Sequence, residues 1–161
     1  MHARHAIAGA LLSLVGACTS PLTREGRLPP AAAELADPTY VLAAQPAEGD
    51  APASDAVALV RAALASKGYR EAPNGHYRLE VGLAVAPAAL DIGRGEAAEP
   101  PAVDAARNPI VLCRPRRHVL TVGMIDRTNG AVLFRNVAAA RHCGPALEEI
   151  LPRMARAAVN G

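Results

Sequence analysis

Cysteine, histidine and arginine are the residues of this chain whose types and spacing could do chemistry. The three cysteines are Cys18, Cys113 and Cys143. Cys113, His118, His142 and Cys143 make a formal Cys2His2 set for zinc. Their spacing matches no tetrahedral pattern, and neighbours such as His142 and Cys143 on a strand point to opposite faces. No metal and no cofactor is therefore expected. A thiol enzyme or hydrolase built on Cys113 or Cys143 would need a free thiolate, and no catalytic residue is assigned. Arg114, Arg116, Arg117 and Arg141 gather in one region, with Arg135 further along. Guanidinium forks grip phosphate or carboxylate bidentately, so these four are a candidate anion-binding site for phosphorylated lipid, lipopolysaccharide or a partner's acidic patch. The competing reading is a solvated strand face, in a chain with 16 Arg and a single Lys. Asp91, Glu96, Glu99 and Asp104 fall in an aperiodic stretch that cannot hold carboxylates at a fixed separation. The chain contains no glycine-rich phosphate loop, Gly-x-Ser-x-Gly elbow or His-Glu-x-x-His.

Cys18 stands in a different context. A weakly cationic start, Met1 to His5, precedes twelve uncharged residues, Ala6 to Ala17. That length is too short to cross a bilayer but fits the apolar core of a secretory signal. Its end, Leu14-Val15-Gly16-Ala17-Cys18, resembles the lipobox of bacterial lipoproteins. The resemblance implies cleavage before Cys18 and acylation of its thiol and amine, and two or three acyl chains anchor firmly. Thr19 stands where an Asp would favour inner-membrane retention, so the expected location is the outer membrane, with the domain facing the periplasm.

In that oxidising compartment Cys113 and Cys143 are expected to form a disulfide. If Asn129-Gly130 is a two-residue hairpin turn, Thr128 pairs with Ala131 and Cys143 faces Arg116, three positions from Cys113. A bulge or bend at Pro115 would then be needed to bring the cysteines within reach. The bridge would close a loop of some thirty residues, stabilising by about 3 kcal/mol in the chain-entropy argument.

The elements that must position these residues follow from periodicity. Residues 1–17 read as the signal peptide and 18–37, with three prolines, as a flexible tether. Residues 38–161 read as one α+β domain. Thr39 to Ala44 is strand-like. A helix starts near Ser54-Asp55, with Ala56, Leu59, Val60, Ala63 and Leu64 on one face, and ends at Gly68. After Asn74-Gly75, Tyr77, Leu79, Val81, Leu83 and Val85 alternate with outward residues, among them His76, which gives a half-buried strand. Residues 86–109 are rich in Ala, Pro, Gly, Asp and Glu and are expected to be a disordered loop. Ile110 to Cys113, His118 to Asp126 and Ala131 to Ala140 read as strands, the last two joined at Asn129-Gly130. Pro145 to Val159 places Leu147, Ile150, Leu151, Met154 and Ala158 on one helical stripe, kinked or restarted at Pro152. The order β-α-β-(long loop)-β-β-α predicts a two-layer α+β fold, a small, mostly antiparallel sheet with two helices on one face.

Val60 to Tyr69, a helix running into Lys67-Gly68-Tyr69, resembles an element of a widespread family of small bacterial lipoproteins whose shared domain has no assigned function. The hairpin Met124 to Arg135 is similar to that family's strand ending in Asp, polar Gly turn, then aromatic and Arg. Family members carry Trp at the place of Phe134 and Gly at that of Asn136. The resemblance implies a fold over about residues 55–159 and almost nothing about activity.

Composition narrows the function classes. Hydrophobic residues make up 51% of the 161, but 37 are alanine, which leaves 45 larger apolar side chains for signal and core together. Four aromatics and a formal net charge of +2 exclude an aromatic-stacking nucleic-acid binder and a strong polyanion binder; no nucleic-acid partner is expected. The expectation is an envelope lipoprotein attached to the membrane through Cys18, working as a non-catalytic binding or scaffolding domain. The alternative is an accessory subunit of an envelope transport or assembly complex, meeting an envelope protein partner by strand addition at the exposed hairpin edge.

Overall fold

The computed structural model describes residues 22–87, 116–142 and 147–161. The fold is α+β: a mixed six-stranded sheet with two helices against one face. The strands are β1 (Leu22–Gly26), β2 (Thr39–Leu42), β3 (Arg70–Glu71), β4 (Tyr77–Pro87), β5 (Arg116–Asp126) and β6 (Val132–His142), in the order β1-β6-β5-β4-β2-β3. β2 runs parallel to both β3 and β4, and the remaining pairs are antiparallel. The helices are α1 (Ala51–Ser66) and α2 (Leu147–Val159), which also pack on each other.

Two of the six strands were not expected. β1 pairs along β6, Leu22 with Ala140 through Gly26 with Asn136, so the flexible tether expected over 18–37 is instead, from Leu22 onward, part of the domain. Ala32 is buried, and the Tyr69 hydroxyl donates to the Pro30 carbonyl at 3.0 Å. Burial pushes that hydroxyl's pKa up to about 12. An edge strand requires only a backbone ladder, and Thr-Arg-Glu-Gly therefore gives no apolar alternation. β1 also covers the outer edge of the β5–β6 hairpin. Both hairpin strands are paired on both sides, and the hairpin edge proposed for strand addition is not free.

The core forms where alternation and helical stripes meet. Tyr77 and Leu79 of β4, Leu120, Val122 and Met124 of β5, and Phe134 and Ala138 of β6 face the helices and are buried. Against them lie Val60, Ala63 and Leu64 of α1 and Ile150, Leu151, Met154, Ala155 and Ala158 of α2. α1 begins earlier than Ser54: the Asp50 side chain accepts from the Ala53 amide at 3.0 Å, and Pro52 lies in the first turn. Its end is as expected, with the Gly68 and Tyr69 amides donating to the carbonyls of Ala65 and Leu64. α2 continues through Pro152 without restarting, in a turn whose Glu148 and Glu149 are exposed.

The hairpin turn is wider than two residues. The Gly130 amide donates to the Asp126 carbonyl at 2.9 Å, and the Asp126 amide to that of Ala131 at 2.8 Å. Gly130 alone in the turn has a positive φ, +75°, and among the described residues no non-glycine residue does. A two-residue turn of the Asn-Gly type requires positive φ at both central positions, so this loop is of another kind. With a bulge between Met124 and Ile125, the register moves by one residue, and His142, not Cys143, stands opposite Arg116.

Candidate functional site

The arginine end of the sheet is built by the outer ends of β5 and β6. The register places Arg117 directly opposite Arg141, with Ala86 of β4 on the other side of Arg117. Alternation puts both on the face away from the helices, shared with Val119, Thr121, Arg135 and Val137. Arg141 is exposed and Arg117 half-buried. Like charges directly opposite across a ladder repel. The ion pairs among the described residues are Arg61 with Glu71, Arg78 with Glu80 and His76 with Asp126, and none involves this pair. The nearest acid on the same ladder face, Glu25, stands opposite Val137, four residues along β6 from Arg141.

The predicted four-arginine cluster is thus resolved into parts. Arg117 and Arg141 are brought together. Arg116 pairs with His142 in the backbone ladder and belongs by alternation to the other face. Arg135 shares the outer face but lies six residues from Arg141. Arg114 lies outside the described residues, as do Cys18, Cys113 and Cys143, so the lipidation, the disulfide and the zinc alternative fall outside them too. His118 is buried on the helix side at 5% exposure, with Leu120 and Val122, and so does not join the arginines. Among the described residues no group of three or more His, Cys, Asp or Glu is placed to hold a metal. No helix of theirs is long and apolar enough to cross a membrane. An open groove of about 310 Å³ between α1 and α2 is lined by Asp55, Ala58, Leu59, Glu148 and Leu151.

At the opposite end of the sheet is a polar corner that sequence reading missed. His76, expected to be merely exposed, has its Nε2 3.1 Å from Asp126 Oδ2 and its ring edge-on to Tyr77 at 4.6 Å. The Thr128 hydroxyl and amide donate to Asp126 Oδ1, the amide at 2.7 Å. Arg127 Nη1 donates to the Gly75 carbonyl at 2.8 Å, and the His76 amide to the Thr39 hydroxyl at 3.0 Å. The Thr128 hydroxyl, then its amide, with a smaller contribution from His76, hold the Asp126 carboxyl down at about 2. The chemistry of this corner is structural: one carboxylate closes the hairpin turn and ties it to the start of β4. The register explains the placement: Tyr77 pairs with Asp126, so His76 adjoins the turn. Asn136 was also missed. It is fully buried, and its Nδ2 donates to the Ala158 carbonyl at 2.9 Å, near the C-terminal end of α2.

With this geometry in hand, comparison with known proteins defines a fold class. No family model matches the chain, and no curated protein matches it. Among solved structures it is similar to a leucine-to-methionine variant of the PelC dodecamer from Paraburkholderia phytofirmans, at TM-score 0.51 and 18% identity, covering 86% of this chain and 95% of that one. A second crystal form of the PelC dodecamer from the same organism gives 0.50 and 18%, with the same coverage. A PDZ domain protein from Parabacteroides distasonis gives 0.49 and 11%, covering 85% of this chain and 35% of that one. At these identities the likeness to PelC is one of fold.

Proposed function

We propose that this chain is a lipid-anchored protein of the bacterial cell envelope. Acylated Cys18 holds it in the outer membrane, and its α+β domain acts in the periplasm as a non-catalytic binding or scaffolding unit. The observation that carries this reading is the order of uncharged stretch, small residues and cysteine from Ala6 to Cys18. Thr19, in place of an aspartate, supports the outer membrane. The sheet face opposite the helices supports a surface role, since it presents Val119, Thr121 and Val137 half-buried among exposed Arg78, Ala84, Arg135 and Arg141. Replacing Cys18 with Ser, followed by fractionation of the cells, tests it. The variant should leave the membrane fraction, and a variant that stays there contradicts the anchor.

A second reading, an accessory subunit of an envelope transport or assembly complex, is favoured by the fold shared with the PelC dodecamer. Under it the domain works as a repeated unit, with the sheet face away from the helices or the outer edge of β1 as the surface for other subunits. In-cell crosslinking of the tagged protein tests this. A ladder of multimers, or a defined product with another envelope protein, supports assembly; a monomer alone contradicts it.

A further inference from the structure

The register of β1 ties the anchor to one end of the sheet. Leu22 is the first residue of β1 and stands opposite Ala140, the neighbour of Arg141. Only four residue steps separate Leu22 from Cys18, and four residues span at most about 14 Å even when fully extended. The same end of the sheet carries the start of β5 and the end of β6, where Arg117 faces Arg141. The opposite end, with the Asp126–Gly130 turn, lies about 30 Å away along eleven-residue β5. Resting on the lipidation of Cys18 proposed above, we infer that the Arg117–Arg141 pair is a phosphate contact for anionic lipid headgroups of the membrane that holds Cys18.

Three observations converge on this assignment. The short lead from Cys18 keeps the arginine end within reach of the headgroup layer. The two guanidinium groups oppose each other across the ladder, and neither pairs with a described acid, so a phosphate between them relieves repulsion and accepts from both forks. The face that carries them is not covered by either helix. Arg135, exposed on the same face but about 20 Å further along β6, provides an internal control.

The test uses the lipidated full chain in vesicles of phosphatidylcholine alone or phosphatidylcholine with phosphatidylglycerol. Arginines are labelled with phenylglyoxal at less than one modification per chain and located by mass spectrometry. Arg117 and Arg141 should react several-fold more slowly in the anionic vesicles, with Arg135 unchanged and the protection lost at high salt. Equal reactivity at all three positions in both vesicles overturns the headgroup contact. Equal protection by inorganic phosphate in neutral vesicles overturns it as well, in favour of a free-anion site. A chain that fails to float with neutral vesicles overturns the anchor and the orientation that depends on it; flotation with uniform labelling overturns the headgroup contact alone.

Discussion

Replacing Asn136 with Ala should destabilise the domain by about 2 kcal/mol. Asn136 and Ala158 are both fully buried, and the Asn136 amide donates to the Ala158 carbonyl at 2.9 Å. Ala158 lies in the last turn of α2, where a carbonyl has no amide four residues further on to accept from within the helix. Asn136 supplies the missing donor from the neighbouring strand. Truncation leaves a buried acceptor unsatisfied, which costs about 1–3 kcal/mol. It also removes the acceptor of the Val137 amide, held at 2.9 Å. For a chain of this size about 2 kcal/mol corresponds to a fall of roughly 6–8 °C in Tm. Urea and thermal unfolding followed by circular dichroism measure both, with exposed Arg135→Ala as the reference, a surface change expected within about 0.5 kcal/mol. If Asn136→Ala proves as stable as that reference, Asn136 does not support the end of α2.

A Cβ at Gly75 would come closer than 3.0 Å to backbone atoms of Tyr40, so Gly75→Ala must displace β2 from β4; it should lower Tm by at least as much as Asn136→Ala, and an unchanged Tm would count against this close approach. The Asp126 carboxyl, held at about 2 by Thr128 and His76, is more acidic folded than unfolded. Its contribution is therefore complete above its ordinary range and is lost as pH falls from about 4 towards 2. Asp126→Asn should lower stability at neutral pH and flatten this acid limb, which chemical denaturation across pH reads directly. Cys113 and Cys143, proposed as a disulfide, should give no free thiol in protein purified without reductant. A single reactive cysteine would sink the bridge and restore the thiol-enzyme reading.

The parts of this fold that bury side chains in a regular period are visible in the chain itself. Tyr77 to Val85 alternates because one face of β4 meets the helices, and Ile150, Leu151, Met154 and Ala158 mark α2 because they cover the sheet. What escaped reading is held by backbone or polar groups. β1 makes a ladder with mostly exposed polar side chains, and β3 has two exposed residues; neither leaves an apolar trace. Asn129-Gly130 marked the position of the turn but not its width, because the Asp126 side chain captures the Thr128 amide and the Asn129 side chain that of Ala131. The resulting one-residue change of register sets Arg117 opposite Arg141 on the face away from the helices, where a two-residue turn would have set His118, which is buried on the helix side. The arginines were legible as a group, and their division between two faces was not. Thin in large apolar side chains, the chain is also consistent with a proposed disulfide and a buried amide contact supplementing its core.

The central claim is that Cys18 carries the acyl anchor, and intact-mass measurement of the protein extracted from membranes tests it most directly. The expected species begins at Cys18 and is heavier than its amino-acid mass by a diacylglyceryl group and an N-acyl chain. No such species should form when Cys18 is replaced by Ser. A mature chain that begins elsewhere, or that begins at Cys18 with no added lipid, would contradict it.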